Sequence, residues 1–355
     1  MVKRNYGIDL LRIVAMLMIV THHLILHGKL LNGLQPGFLY YAGNAINVLV
    51  FPTINCYAMI SGFGGCENAN FKYKKYAGMW AQVFTYSVIW GIIGLLFFDI
   101  GKREFVFSFF PVMSRRYWYF SAYTGVFFLM PFLNRMIANL SKKELNRLAC
   151  VVFGLFVVYN TIVIFATKEF YKSQKDIFNL NIGNTTLFMI LLYFVGAWIR
   201  KNEIYEKIKK WQAVSLFLVC SAILILIKTK IITTENEGFM EITKHNSIFM
   251  VGQSLSLVIL FAQLDLSERK QRFIKFFAPS AFGVYLITDN PVFRKIEKEI
   301  IKKITQFGEI ETIVLVLLTA FGIFVAAILI ETIRIKIVKA IVPKKKQYSG
   351  QHLKK

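Results

Sequence analysis

The stretch Ile313–Ile330 (IVLVLLTAFGIFVAAILI) decides the fold class of this chain, because it contains no charged residue and almost no polar one. A helix needs about 20 mostly apolar residues to cross the hydrocarbon core of a bilayer. Two further runs of this kind, Leu216–Ile227 and Ile248–Ala262, lie earlier in the sequence. Together they predict membrane-spanning helices rather than the interior of a water-soluble domain.

The composition of the whole chain agrees with this prediction. Hydrophobic residues make up 56% of the 355 residues and charged residues only 18%, whereas soluble proteins have about 45–50% and about 25%. Only 7 residues are proline and 4 are cysteine. The composition therefore excludes disordered, collagen-like and disulfide-scaffold proteins, and it argues against a soluble enzyme.

Working outward from the clearest runs, we predict an all-α, polytopic integral membrane bundle of about ten transmembrane helices. The candidate spans cover residues 8–27, 40–64, 76–98, 117–137, 146–166, 184–200, 211–228, 246–264, 273–292 and 310–334. The connections between them are short, so residues 1–342 are predicted to form one membrane domain. Residues 343–355 are predicted to be a basic, disordered cytoplasmic tail.

The basic residues choose the orientation of this bundle. An even number of spans puts both termini on one side, and cytoplasmic connections carry an excess of Lys and Arg. With cytoplasmic termini, that face carries 26 of the 43 basic residues and the outer face carries 16, while Arg12 lies inside a span. The net charge of +23 then divides into +19 inside, +5 outside and −1 within the membrane. We therefore predict a multi-pass plasma-membrane protein with both termini in the cytoplasm.

The first span carries ionisable residues, which a bilayer disfavours unless they face protein or water. At 100° per residue, Arg12 and His23 lie about 20° apart around the helix. Asp9 and His27 fall near the same stripe, whereas His22 points about 100° away. Along the axis, Arg12 and His23 are separated by ~16 Å, with Arg12 nearer the cytoplasm.

Two interpretations of this stripe stay open for most of its members. Asp9 and Arg12 are spaced for an i,i+3 ion pair at the membrane interface. His27, beside the outer loop, suits a histidine that is satisfied near the head groups. For His23 the functional interpretation is favoured, because a neutral imidazole in line with a buried arginine can act as a general base near working pH.

Polar residues in two other spans also allow two interpretations. Asp289 and Asn290 precede Pro291, which loosens a helix where such groups need partners. They suit either a functional site or a helix end at the outer interface. In span 2, Ser61 either belongs to a site or lets helices approach, and Gly62 is better explained by close helix packing.

Span 4 opens with two arginines and three aromatic residues, Arg115–Tyr119 (RRYWY). An aromatic belt at the membrane surface accounts for the three rings without further function. Arg115 and Arg116 are predicted to lie on the outer side, where basic residues are less common than on the cytoplasmic side. This makes them candidates for a functional role there.

The cysteines give no sign of a metal site. All four lie in or beside predicted spans without a CxxC or Cys/His pairing, at Cys56, Cys66, Cys150 and Cys220. We interpret them as small core residues, and we predict neither a bound metal nor a bound cofactor.

Five ordered motifs in this chain resemble the membrane acyltransferase-3 family, in particular its Gram-positive polysaccharide O-acetyltransferase-like branch. The first contains the spacing R-x10-H between Arg12 and His23, and the set covers nearly the whole chain. The motifs are GIDLLRIVAMLMIVTHHL (7–24), NCYAMISGF (55–63), YWYFSAYTGVFFLMPFLN (117–134), YFVGAWIRKN (193–202) and FGVYLITDNP (282–291).

The resemblance implies an enzyme that moves an acyl group, usually acetyl, from cytoplasmic acyl-CoA to a hydroxyl of an extracytoplasmic or membrane-linked carbohydrate. It places the family's catalytic histidine at His23 and the paired arginine at Arg12. A basic motif linked to the CoA donor falls on residues 71–76 (FKYKKY), with Lys72 and Lys75 where relatives have arginines. Thr288 stands where many relatives have His.

These considerations assign His23 and Arg12 to catalysis, and Lys72, Lys75 and Asp9 to donor binding. The predicted acceptor-binding or supporting residues are Arg115, Arg116, Trp118, Tyr119, Ser61, Tyr285, Asp289 and Asn290. Acetyl-CoA, or another acyl-CoA, is the expected donor substrate. The expected partners are this donor, an extracytoplasmic carbohydrate, the lipid bilayer and, as an open possibility, a homo-oligomer, but no nucleic acid.

Two other classes stay open at this point. A transporter or flippase for an anionic or lipid-linked glycan suits the intramembrane charges, although no transporter-type repeat is visible. A sensor or scaffold on the same fold would bind acetyl-CoA without turnover. The sequence does not decide the acceptor, the acyl chain length, direct transfer against an acyl-enzyme relay, the effect of Thr288 or the oligomeric state.

Overall fold

The computed structural model describes residues 4–167, 178–233 and 242–341, which form helices with no β-strand among them. The all-α prediction is therefore confirmed for the described part of the chain. A π-helical segment, Gly154–Val158, joins two of the α-helices. In chain order the α-helices are α1 (Tyr6–His27), α2 (Phe38–Val50), α3 (Thr53–Gly65), α4 (Tyr73–Phe97), α5 (Lys102–Phe107), α6 (Trp118–Asn139), α7 (Lys142–Phe153), α8 (Tyr159–Thr167), α9 (Thr186–Lys201), α10 (Ile204–Lys207), α11 (Lys210–Thr233), α12 (Ile248–Ala262), α13 (Glu268–Phe277), α14 (Ala281–Thr288), α15 (Pro291–Ile304) and α16 (Glu309–Ile341).

Six helical stretches among the described residues are long and apolar enough to cross a membrane, which identifies a membrane protein. A further apolar helix, α12, is shorter. The count of ten spans and the cytoplasmic termini stay predictions, and the predicted tail at residues 343–355 lies outside the described residues. The six stretches are Tyr6–His27, Phe38–Gly65, Tyr73–Phe97, Lys142–Val163, Lys210–Thr229 and Glu309–Ile341.

Helix α1 packs against more of the bundle than most helices do, with α2, α3, α12, α14, α15 and α16 around it. It begins after Asn5, whose side-chain oxygen accepts a hydrogen bond from the backbone N–H of Ile8 at 3.0 Å. Gly7 allows the close approach of α12, because a Cβ there would lie 1.8 Å from the carbonyl oxygen of Phe261. The polar stripe of α1 is therefore enclosed by protein.

Helices α3 and α9 approach each other through two glycines. A Cβ on Gly62 would lie 1.8 Å from the carbonyl oxygen of Tyr193, and one on Gly196 would lie 1.9 Å from that of Met59. Small residues at a helix interface let backbones meet in this way. The packing interpretation of Gly62 agrees with this geometry.

Two of the predicted spans are interrupted in the structure, although α2 and α3 together still form one stretch long enough to cross a membrane. Residues 40–64 divide into α2 and α3 around Pro52, and residues 273–292 divide into α13, α14 and the start of α15. The second break arises because Asn290 caps α15 by accepting from the N–H of Val292 at 2.9 Å, and Pro291 occupies the first helical position. Asp289 therefore lies at a junction of two helices, with α15 folded back against α1 and α4.

Three of the four cysteines agree with their interpretation as core residues and one does not. Cys56, Cys66 and Cys220 are free and buried, whereas Cys150 on α7 is free and exposed. The prediction of a core position for Cys150 is wrong, because α7 turns that face outward.

Candidate active site

A cavity of about 470 Å³ lies between α1, α3, α4, α6 and the segment that leads into α14. Apolar and aromatic side chains make up much of its lining, and Arg12 and His23, ~16 Å apart along α1, mark two ends of it. The aromatic lining consists of Tyr57, Trp118, Tyr119, Phe120, Tyr123, Phe127, Phe282 and Tyr285.

The first end of the cavity is cationic, since Arg12, Lys72 and Lys75 all line it. Asn68 and Asn70 lie at the same end. Among the described residues neither lysine forms an ion pair with a carboxylate, so both ammonium groups are available to a ligand. This end has the charge expected of a site for phosphate groups.

Asp9 fixes Arg12 rather than lining the cavity itself. The Asp9 carboxylate is 7% exposed, accepts from Nη1 of Arg12 at 2.8 Å and also pairs with Arg4. The hydroxyl of Tyr57 donates to the backbone carbonyl of Arg12. These contacts hold the arginine at the cavity mouth and leave part of its guanidinium exposed.

His23 lines the second end of the cavity and faces the carboxylate of Asp289, which His27 also faces; neither Asp289 nor His27 is among the residues that line the cavity. Oδ1 of Asp289 lies 3.8 Å from Nε2 of His23 and 3.5 Å from Nε2 of His27. The two imidazole rings are 4.9 Å apart. Nη2 of Arg294 donates to the same Oδ1 at 2.6 Å, so one buried carboxylate faces three basic side chains.

Several atoms at this end are buried without a hydrogen-bond partner among the described residues. They include Nδ1 of His23 and Oδ2 of Asp289. An imidazole with an unoccupied nitrogen beside a carboxylate is the arrangement that general-base catalysis requires. His22, in contrast, pairs through Nδ1 with Oδ1 of Asn47 at 2.7 Å, and so lies outside this cluster.

The same three side chains could also hold a metal ion. One donor atom each from His23, His27 and Asp289 lies within 4.8 Å of the others, and two histidines at i,i+4 with a carboxylate are a familiar ligand set. A cation there would have to share Asp289 with the guanidinium of Arg294. The predicted absence of a metal stays a prediction.

A second buried carboxyl, Glu297, lies near the cluster on α15. Its side chain is 0% exposed, and neither of its oxygens has a hydrogen-bond partner among the described residues. Burial, together with the negative charge of Asp289, raises the pKa of Glu297 to about 9, and the positive charge of Arg294 opposes this rise. Glu297 is therefore protonated at neutral pH.

The structure brings some of the predicted acceptor-side residues to the cavity. Trp118, Tyr119, Ser61 and Tyr285 line it. The Ser61 hydroxyl donates to the backbone carbonyl of Tyr57 at 2.9 Å.

Other predicted acceptor-side residues lie away from the cavity lining. Arg116 donates to the carbonyl of Glu104 at 2.7 Å, and Arg115 occupies a turn with φ of 52°. Asn290 donates to the hydroxyl of Tyr117 at 2.9 Å in addition to capping α15.

Three residues of this region were not assigned to the site from the sequence. His27 was placed on the polar stripe of α1, but its position beside the outer loop favoured a histidine that is satisfied near the head groups. Arg294 lies only five residues after Asp289, a local spacing that could have identified it, whereas Glu297 carries no such signal.

Comparison with known proteins adds one finding. A family model described as an acyltransferase domain matches residues 5–332, a range that includes every residue of the cavity lining. No curated protein and no solved structure shows a significant match to the chain.

Proposed function

The chain belongs to the acyltransferase-3 family of membrane acyltransferases, and from this premise we propose that it transfers an acyl group, acetyl in the simplest case, from cytoplasmic acyl-CoA to a hydroxyl of a cell-surface or lipid-linked carbohydrate. One observation carries the proposal. A single cavity joins a cationic mouth at Arg12, Lys72 and Lys75 to His23, whose Nδ1 has no partner among the described residues.

The cationic mouth suits the nucleotide end of the donor. Acyl-CoA carries several phosphate charges, which Lys72 and Lys75 can meet as point charges and Arg12 can meet through a planar guanidinium. Asp9 supports this end indirectly, because it orients Arg12. A cytoplasmic position of this mouth follows from the predicted orientation.

The shape of the cavity suits the rest of the donor. Arg12 and His23 lie ~16 Å apart along α1, and the space between them has an apolar, aromatic wall. A pantetheine arm is long, thin and only weakly polar. It would place the thioester carbonyl near His23 while the phosphates stay at the mouth.

His23 would act as the general base in a direct transfer. It takes the proton of the acceptor hydroxyl as the acceptor oxygen attacks the thioester carbonyl and forms a new C–O bond, and the C–S bond then breaks. The proton then passes from the imidazolium to the CoA thiolate, so no proton is gained or lost. Asp289 would stabilise the transient imidazolium of His23. In a relay through an acyl-enzyme, the His23 nitrogen that takes the proton in direct transfer would act instead as the nucleophile.

The acceptor would enter from the side opposite the donor. Trp118, Tyr119, Tyr285 and Ser61 would contact it within the cavity, because these residues line it. Arg115 and Arg116 would act, if at all, before the acceptor reaches the cavity. Asp289 and Asn290 would support the site from the junction of α14 and α15.

The test is product formation in proteoliposomes by the His23→Ala variant. We expect acyl transfer to fall by at least about 10²-fold, with normal accumulation of the protein in the membrane. His22→Ala is the matched control, because His22 is adjacent and equally buried but pairs with Asn47 outside the cavity. Transfer at the wild-type rate by His23→Ala would overturn the proposal.

The same assay separates the enzyme from the transporter that the sequence analysis left open. An enzyme forms a covalently acylated acceptor only when acyl-CoA is supplied. A transporter or flippase moves labelled glycan across the bilayer without altering it, and a scaffold binds acetyl-CoA without turnover.

A further inference from the structure

The reaction proposed above needs a group that stabilises negative charge on the thioester oxygen. This charge develops as the acceptor attacks, and preorganised hydrogen-bond donors at that position are often the largest contribution to catalysis. Arg12 cannot supply them, because it lies ~16 Å from His23 along α1 and is held by Asp9. Arg294 binds Asp289 through Nη2 and does not line the cavity.

Two tyrosines that line the cavity have unused donors. The hydroxyl oxygens of Tyr119 and Tyr285 are buried and have no hydrogen-bond partner among the described residues. Their rings meet edge to face with centroids 6.3 Å apart, Tyr119 from α6 and Tyr285 from α14. Tyr285 precedes Asp289 by one helical turn, and its hydroxyl interacts with the Asp289 carboxylate and the backbone of Tyr119 without a hydrogen bond of good geometry to either. Tyr285 therefore lies beside the carboxylate that faces His23, and Tyr119 lies next to Tyr285.

Neighbouring tyrosines are already engaged. The hydroxyl of Tyr57 donates to the carbonyl of Arg12, and that of Tyr117 donates to the carbonyl of Leu286 at 3.0 Å. A buried hydroxyl without a partner is unfavourable, so two of them on one cavity wall indicate that a ligand atom completes them.

We propose that Tyr119 and Tyr285 form the oxyanion hole of the acyl transfer, an inference that rests on the proposed function. Both phenols stay neutral and donate hydrogen bonds to the former carbonyl oxygen. As the new C–O bond forms, the π electron pair of the carbonyl moves onto that oxygen. When the pair returns, the C–S bond breaks, and the thiolate leaves with its electron pair and receives the proton held by His23.

The experiment compares Tyr285→Phe and Tyr119→Phe with wild type in purified, reconstituted protein. Each substitution removes only the hydroxyl, so we expect kcat to fall about 10²–10³-fold. The KM for acetyl-CoA and the affinity for CoA, which lacks the carbonyl, should stay within about twofold of wild type. The Tm should not fall, because the lost hydroxyl has no partner in the free protein.

Tyr40→Phe is the matched control. The Tyr40 hydroxyl is also buried and without a partner among the described residues, but Tyr40 does not line the cavity. Its removal should leave kcat, KM and Tm unchanged.

The outcomes separate this inference from the proposed function. Tyr119→Phe and Tyr285→Phe with wild-type kcat overturn the oxyanion hole, and a parallel loss in His23→Ala then keeps the acyltransferase assignment. A fall in kcat that accompanies a lowered Tm or a raised KM for the donor also overturns it, because the hydroxyls would then be structural or donor-binding. Full activity of His23→Ala overturns the proposed function itself.

Discussion

Glu297 is a carboxyl group without a hydrogen-bond partner among the described residues, fully buried on a helix that packs against α1. Such a group stays neutral because ionisation in an apolar surrounding is unfavourable, and its pKa is raised to about 9. Asp289 can remain ionised beside Glu297 because the guanidinium of Arg294 donates a hydrogen bond to the Asp289 carboxylate at 2.6 Å. The pair therefore divides into one charged and one neutral carboxyl.

This division predicts a pH dependence of stability. Between about pH 4.5 and about pH 9, Glu297 is protonated in the folded state but ionised in the unfolded state. Unfolding then releases a proton, so this group makes the folded state less stable as the pH rises. Glu297→Gln, which cannot ionise, should gain in Tm relative to wild type as the pH is raised across that range.

Thermal unfolding in detergent from about pH 5 to about pH 8.5 measures this difference. Glu299→Gln is the control, because Glu299 is exposed on the same helix. A difference in Tm between Glu297→Gln and wild type that does not grow with pH would contradict the raised pKa.

The lysines at the cavity mouth give a second prediction at the scale of single residues. Lys72→Ala combined with Lys75→Ala removes two of the three cations that line the mouth. Since a charged hydrogen bond contributes about 1.5–3 kcal/mol, we expect the KM for acetyl-CoA to rise roughly tenfold or more, and the KM for the acceptor to change little. Lys74→Ala, an exposed neighbour outside the lining, is the control; an unchanged donor KM in the double variant would remove both lysines from the site.

Residue spacing alone was enough to place Arg12 and His23 on one face of α1, and the structure has both of them in one cavity. It was not enough for His27, whose partner Asp289 comes from a distant helix end. Thr288 donates to the carbonyl of Val284 at 3.0 Å and is fully buried. The adjacent Asp289, not Thr288, is the residue that meets the histidines.

At the scale of helices, the close approach of α3 and α9 sets the position of the cavity wall. Gly62→Ala would force a Cβ to within 1.8 Å of a backbone carbonyl, and overpacking of this kind lowers stability by about 1–3 kcal/mol or more. Gly64→Ala, on the same helix with no neighbouring atom within 4 Å of the added Cβ, should leave stability unchanged. Thermal unfolding in detergent measures both, and equal Tm values for the two variants would contradict the close contact.

Helix boundaries were harder to predict than helix type. The apolar run at residues 273–292 suggested one span, because hydropathy cannot show that Asn290 caps the next helix. Pro291 was recognised as a point of weakness, yet the return of α15 along α1 depends on tertiary packing. The contacts of Asp289 with His23 and His27 on α1 are long-range and could not be predicted from spacing, whereas its contact with Arg294 is local.

At the scale of the whole molecule, ten spans are predicted, and six stretches within residues 4–167, 178–233 and 242–341 reach the length and apolarity of a span. The predicted spans at residues 184–200 and 246–264 correspond to α9 and α12, which are 16 and 15 residues long. Helices this short span a bilayer only where neighbouring protein or local thinning compensates. Burial inside the bundle, as at Tyr193 and Val258, makes their apolar composition as consistent with a core helix as with a lipid-facing one.

The orientation of the molecule determines which substrate meets which end of the cavity. The orientation predicted from the basic residues would put Lys72–Lys75 in the cytoplasm and α15 outside, so the donor mouth and the His23 end of the cavity should face opposite compartments. In a background without native cysteines, Lys298→Cys should react with a membrane-impermeant maleimide in intact cells. Lys74→Cys, equally exposed, should react only after permeabilisation. Labelling of both residues in intact cells, or the reverse pattern, would contradict the orientation and with it the entry of acyl-CoA from the cytoplasm.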